Sequence, residues 1–141
     1  MAAALTEMAA AFAGEDTSRA KELRARALKL AERELSAYAP VLEASRLPKD
    51  DPTRDDKLDR ALSEAADSPL EIAQVAAEIA RMASRLAATG RRSLEGDANA
   101  GAELARASCR AGVRLVEINL SARPDDPRLA RARQLVEDEP G

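Results

Sequence analysis

The chain has 141 residues, the length of one domain, and is 45% hydrophobic but only 1% aromatic, with one Phe, one Tyr and no Trp. A net charge of −3 and the lack of stacking side chains leave no electrostatic footprint for nucleic acid, and no apolar run approaches the ~20 residues that span a bilayer. With zero histidines, a His-based metal site and a His general base are both excluded.

No metal is expected, and acid–base chemistry is left to Asp, Glu, Lys, Tyr or the single cysteine, Cys109. One cysteine excludes an intramolecular disulfide framework and fits a reducing, cytoplasmic setting. The start, MAAALTEMAAAFAGED, lacks the basic residues of a signal peptide. The apolar content is Ala, Leu, Val and Ile. Small side chains bury little area each, at roughly 25 cal/mol per Å², so a homo-oligomer, most simply a homodimer, is expected.

In chain order, a first helix is predicted over Ala2–Ala13, closed by Gly14 as a C-cap. Asp16, Thr17 or Ser18 then caps a long helix to about Leu47, with Leu23, Ala27, Leu30, Leu35, Tyr38 and Leu42 on its apolar face. Pro40 falls inside it and removes a backbone donor, so a kink or interruption is expected there. The charged stretch PKDDPTRDD, Pro48 to Asp56, reads as a loop, and a short helix follows from about Thr53 to Asp67 with Leu58, Leu62 and Ala65 inward.

Ser68-Pro69 with Glu71 is a helix start signal, Ser at the N-cap and Pro at the first helical position. The helix it opens carries Ile72, Val75, Ile79, Met82 and Leu86 at alternating spacings of three and four, and Thr89-Gly90 ends it. The next helix starts near Asp97 and carries Leu104, Ser108, Ala111, Leu115 and Ile118 in the same rhythm, so the two helices are predicted to pack antiparallel. A last helix, from about Asp126 to Val136, sets Leu129, Ala132 and Leu135 on one face. Nothing alternates as a strand would. The fold class is all-α, an antiparallel helical bundle forming a single domain over residues 1–141.

Four motifs stand in order: SRLPK (Ser45–Lys49), DSPLEIAQVAAEIARMA (Asp67–Ala83), GDANAGAELA (Gly96–Ala105) and INL (Ile118–Leu120). In order and spacing, from about residue 17 to 136, the chain resembles the cyclodeaminase/cyclohydrolase family, which includes the C-terminal domain of formiminotransferase-cyclodeaminase and methenyltetrahydrofolate cyclohydrolases. The resemblance implies an all-helical, dimerising domain that works on a tetrahydrofolate derivative as substrate, with no covalently bound cofactor. Two departures stand out. The family's opening Pro- and Gly-rich stretch, of the form PAPGGGSAAAL, has no counterpart, and MAAALTEMAAAFA resembles the later part of the helix that follows it. Where the family's last long helix ends NVRINL, this chain has Leu115 for the asparagine and Glu117 for the arginine.

The chemistry so implied closes a formimino group onto a ring-system nitrogen with loss of ammonia, or adds water to a methenyl carbon. Either passes through a tetrahedral carbon bearing several nitrogens and needs a proton donor or acceptor in hydrogen-bond reach. Asp97, following Gly96 at a helix start, is the candidate acid–base residue, with a simple N-cap as the competing reading. Arg46 and Lys49 of SRLPK are candidate binders of folate carboxylates or else solvated loop charges. Asn99 is read as a pterin contact or a cap, and Asn119 as a substrate contact or a buried structural tie. Arg91 and Arg92 are read as partners of the preceding helix C-terminus, and Cys109 as packing. A family relative without turnover, serving as a ligand-binding or protein-interaction dimer, stays open.

Overall fold

The computed structural model describes residues 1–14, 16–89 and 94–137. Gly90, Arg91 and Arg92 lie outside the described residues, as does the side chain of Leu35. Among the described residues there are seven helices and no strand: α1 Ala2–Ala13, α2 Ser18–Ala37, α3 Ala39–Ser45, α4 Arg54–Ala65, α5 Asp67–Thr89, α6 Glu95–Asn119 and α7 Pro127–Glu137. None is long and apolar enough to cross a membrane.

Local signals explain most of the boundaries. Gly14 closes α1 with φ 75°, the left-handed conformation that glycine adopts without a Cβ penalty, and its N–H reaches back to the Ala10 and Ala11 carbonyls. Before α2, the Asp16 carboxylate accepts hydrogen bonds from the Ser18 N–H (2.9 Å) and hydroxyl (2.6 Å). Asp51 does the same for Thr53 ahead of α4, at 2.8 and 2.7 Å. Pro40 ends the long second helix as expected. α2 stops at Ala37, Tyr38 turns, and α3 restarts with the proline in its first turn.

The start of α5 differs from the expectation. Ser68 caps nothing: it is buried inside the helix with its hydroxyl unpartnered. α4 runs into α5 across one fully buried residue, Ala66, and the Leu70 N–H bonds the Ala66 carbonyl at 3.3 Å. The Leu70 N–H thereby finds a backbone acceptor at the end of α4, so the first turn of α5 does not rely on a side-chain cap.

Helix α5 is the centre of the molecule and is buried on two sides. Its larger stripe behaves as the spacing predicts, in that Val75, Ile79 and Leu86 are buried, but it faces α1 and α2. Val75 and Ile79 cluster with Leu23 and Leu30 of α2 and Ala3 of α1. A second ridge of alanines, Ala73, Ala76 and Ala77, meets Cys109, Val113 and Val116 of α6. Helix α6 therefore packs through its small residues, not through the predicted stripe. A Cβ on Gly112 would lie 2.8 Å from the Pro69 carbonyl oxygen and 3.0 Å from the Ala73 Cβ, and a Cβ on Gly101 would lie 3.1 Å from Thr6 Oγ1. These glycines let the backbones of α5 and α1 approach α6 closely. The stripe Leu104, Ser108, Ala111, Leu115, Ile118 is turned outward, with Leu115 and Ile118 44% and 51% exposed.

Ion pairs bind the outer helices to this centre. Arg19, Arg26 and Arg33 recur every seventh residue along α2. They meet Glu78 (2.6 Å) and Glu71 (3.7 and 3.0 Å), which are themselves seven apart on α5. The Arg19 guanidinium, chiefly through its hydrogen bonds, holds the Glu78 carboxyl below the usual carboxylate range. Helix α7 is fastened by Arg128, which donates to Asp126, Asp67 and both oxygens of Ser63. Its Leu129 and Ala132 are buried, as its spacing predicts.

Candidate active site

Two places in the molecule offer themselves, and they are separate. One is a half-open cavity of about 190 Å³ between α1, α2, α5 and α6, lined by Ala3, Leu30, Ile72, Val75, Ile79 and Ser108 among others. Its walls are apolar. The Ser108 hydroxyl is its polar side chain, and that hydroxyl donates to the Leu104 carbonyl at 2.8 Å. No Asp, Glu, Lys or Arg side chain lines it, so its wall is suited to holding apolar surface.

The other place is α6. Asp97 is not its cap: Leu94 holds the N-cap position with no side-chain hydrogen bond, and Asp97 lies in the first turn beside Glu95. A carboxylate there complements the partial positive charge of the helix N-terminus. Asp97 is exposed and has no hydrogen-bond partner among the described residues. Asn99 is also exposed, inside the helix, and caps nothing. Asn119 is buried at the far end of the same helix, 7% exposed, with no side-chain hydrogen bond among the described residues. At 1.5 Å rise per residue, Asp97 and Asn119 are about 33 Å apart along α6.

Arg46 and Lys49 are exposed around the α3–α4 connection, where Arg46 is the C-terminal cap position of α3. α3 and α4 pack on each other through Val41, Ala61 and Ala65, and α4 sits where α6 finishes: Arg123, just past α6, donates to Asp59 of α4 at 2.7 Å, and Ala66 clusters with Leu120. The candidate residues thus divide into three groups. Asp97 and Asn99 are at the start of α6, Asn119 is at its far end, and Arg46 and Lys49 are in the α3–α4 connection. Within one protomer they do not converge. Among the described residues, no three His, Cys, Asp or Glu side chains gather as a metal site would.

Glu117, where the resembled family carries arginine, is drawn to two cations. Arg133 of α7 donates to it at 3.1 Å and Arg114 at 3.2 Å, and these bonds, Arg133 first, hold its carboxyl below the usual range. Cys109 is fully buried against α5, in keeping with packing. Sequence reasoning missed Arg128 and the arginine ladder of α2. The seven-residue recurrence of Arg19, Arg26 and Arg33 was the signal for the ladder, and the Asp126-Pro127-Arg128 start of α7 was the signal for Arg128.

No curated protein matches the chain. Among solved structures, a crystal structure of formiminotetrahydrofolate cyclodeaminase from Thermotoga maritima is similar, with a TM-score of 0.76 and 25% sequence identity, covering 99% of this chain and 74% of that one. The family model described as formiminotransferase-cyclodeaminase matches residues 1–138. By that match over nearly its whole length, the chain belongs to the formiminotransferase-cyclodeaminase family.

Proposed function

We propose that the protein acts on a tetrahydrofolate derivative carrying a one-carbon unit and makes or breaks a C–N bond of that unit, as a cyclodeaminase or a cyclohydrolase does. The observation that carries this reading is the family match over residues 1–138, joined to the likeness to a solved formiminotetrahydrofolate cyclodeaminase. The reaction needs a proton carrier near a tetrahedral carbon, and no redox step or covalent nucleophile. Asp97 fills that role, and its exposed, unpartnered carboxylate at the start of α6 supports the assignment. Arg46 and Lys49 take the folate carboxylates, and Asn99 and Asn119 make polar contacts to the substrate. The folate derivative is the substrate and nothing is held covalently. The working unit is a homodimer of antiparallel bundles. The contact of Pro69 with Gly112, and of Leu86 with Ala98, supports opposite directions for α5 and α6.

A second reading is a family member that binds without turnover. It is favoured by Glu117, whose carboxylate is already engaged by Arg114 and Arg133 at the place where the resembled pattern has an arginine. Calorimetry with tetrahydrofolate, followed by turnover assays on its formimino and methenyl derivatives, separates the two. Turnover that Asp97→Asn lowers by about 10²–10⁴-fold, with helix content unchanged, is the expected result. Binding without turnover selects the second reading. Absence of binding at high micromolar tetrahydrofolate overturns the folate enzyme and leaves a family relative that serves as a protein-interaction dimer.

A further inference from the structure

The cavity between α1, α2, α5 and α6 has apolar walls, and just beyond one end of it stand two buried oxygens that bond nothing. Glu34 Oε2 and Ser68 Oγ are buried without a hydrogen-bond partner, and the Glu34 carboxylate makes no ion pair among the described residues. Ser68 is 2% exposed, and Glu34 is half-buried. Taking a carboxylate oxygen out of water without a partner is strongly unfavourable, and a hydroxyl left the same way adds to the cost. Two such atoms at the end of one cavity mark a place where a bound molecule has bonds to supply.

Both residues continue stripes that line the cavity. On α2, Ala27, Leu30 and Ala31 line it, and Glu34 follows three residues after Ala31 and four after Leu30, on the same face. Helical side chains lean toward the helix N-terminus, so Glu34 leans back over the turn that holds Leu30 and Ala31. On α5, Ile72 and Val75 line the cavity, and Ser68 precedes Ile72 by four residues on the same face. Arg19 near the start of α2 meets Glu78, and Arg33 near its end meets Glu71, so the two helices run antiparallel. Glu34, next after Arg33, therefore comes level with the first turn of α5, where Ser68 stands. The cavity holds about 190 Å³. An apolar cavity of about 150 Å³ is large enough to bind benzene, so there is room for one flat ring. A carboxylate only accepts hydrogen bonds, and it pairs best with two parallel N–H donors.

We propose that this cavity is a ligand site in its own right, in which the apolar walls hold one flat ring and Glu34, with Ser68 beside it, takes a head of two adjacent N–H donors on the ring's edge. Aromatic amidines carry such a head, and so does the 2-amino edge of a pterin. The recognition chemistry is the same for both. The site is built within one protomer, and neither Asp97 nor Asn99 lines it, so it stands apart from the folate reading. A ring with a carboxylate head is excluded, because Glu34 would face a like charge. A ligand that supplies the missing bonds also stabilises the folded chain, since the unfolded chain has no such site.

The test is a titration of the whole chain with benzamidine, read by the backbone amide signals in nitrogen-15 NMR spectra. Benzamidine is expected to shift the amides of Leu30, Ala31, Ile72 and Ser108 saturably, whereas benzoate leaves them in place. Glu34→Gln keeps the side-chain shape but replaces one acceptor by a donor, and is expected to weaken benzamidine by about tenfold or more. Because the Oε2 it replaces has no partner in the protomer, the same variant is expected to melt no lower than the wild type. Ala31→Leu adds bulk to the cavity wall from an exposed position and is expected to block the probe with unchanged circular dichroism. No shift of these amides at high millimolar benzamidine overturns the proposal, as does a Glu34→Gln chain that binds the probe as the wild type does. A fall in the melting midpoint of Glu34→Gln makes Glu34 a structural group and overturns it too. With the pocket upheld, tetrahydrofolate that displaces benzamidine puts a pterin edge at Glu34, and tetrahydrofolate that binds without displacing it assigns the pocket to a free amidine. Benzamidine binding with no tetrahydrofolate binding upholds the pocket and overturns the folate enzyme.

Discussion

The two glycines at either end of α6's packed face, Gly101 and Gly112, and the exposed Gly96 show how one residue type serves opposite purposes. Gly112 is where α6 touches α5: an added Cβ meets a backbone oxygen at 2.8 Å and the Ala73 Cβ at 3.0 Å. Neither neighbour is a flexible side-chain tip, so relief requires the helices to part. Gly112→Ala gains about 1 kcal/mol of helix propensity but forces overpacking of about 1–3 kcal/mol or more in a tight helix pair. Net destabilisation is expected, read as a lower denaturation midpoint at constant m-value. An added Cβ on Gly96 would have nothing within 4 Å, so Gly96→Ala is expected to stabilise by about 0.5–1 kcal/mol and serves as the control. Asp97 shows the same ambiguity between local and tertiary roles. Its sequence setting after Gly96 suits a cap, yet the helix begins at Glu95, and the residue is one of two carboxylates in the first turn.

At the scale of elements, the sequence made the helices visible but not their faces. The ends followed from local chemistry that a reader of the sequence can name: Gly14 after α1, Pro40 between α2 and α3, Asp51 and Pro52 before α4. The partner of each face did not follow, because α6 has two candidate faces. Periodicity weighted by side-chain size selects Leu104, Leu115 and Ile118, whereas the fold buries Gly101, Ala105, Cys109 and Gly112, where close backbone approach lengthens the contact. The candidate site was legible only as residue types at helix ends. The helix predicted from Asp97 through Ile118 already puts Asp97 and Asn119 at opposite ends of one rod, but nothing in linear spacing tells where the α3–α4 connection that carries Arg46 and Lys49 packs. Helix α7 yields an element-scale expectation for pH. Arg128, first by its hydrogen bonds, draws the Asp126 carboxyl down to about 2. A carboxylate depressed in the folded state contributes stability that is fully present above its unfolded value near 4 and is lost as pH falls through about 2. Asp126→Asn is therefore expected to flatten the acid limb of a stability–pH profile between about pH 4 and pH 2, leaving the neutral-pH slope unchanged, in urea titrations run at stepped pH.

For the whole molecule, the core is a stack of alanines held at close range, and the larger apolar side chains are divided between the centre and the surface. Leu23, Leu30, Val75 and Ile79 are inside, while Leu28, Leu115 and Ile118 are exposed. Small residues let α6 approach α5 but contribute little transfer free energy each, so a protomer of this composition gains from covering the α6 stripe. If folding and pairing are linked, stability depends on protein concentration by mass action. A hundredfold rise in concentration favours a dimer over its unfolded chains by about 2.7 kcal/mol. Spread over the unfolding entropy of two such chains, at about 2.1 cal/mol/K per residue, this shifts the midpoint by about 4–5 °C. Thermal melts at 1 and 100 μM are expected to differ by that amount for the wild type. Leu115→Glu is expected to melt at one temperature across the same range, and to do so below the wild type at 100 μM, because the same side chain that costs nothing within the protomer then removes the pair. A wild-type midpoint independent of concentration, with two-state melts at both ends of the range, is the result that would separate the stability of this bundle from any partner.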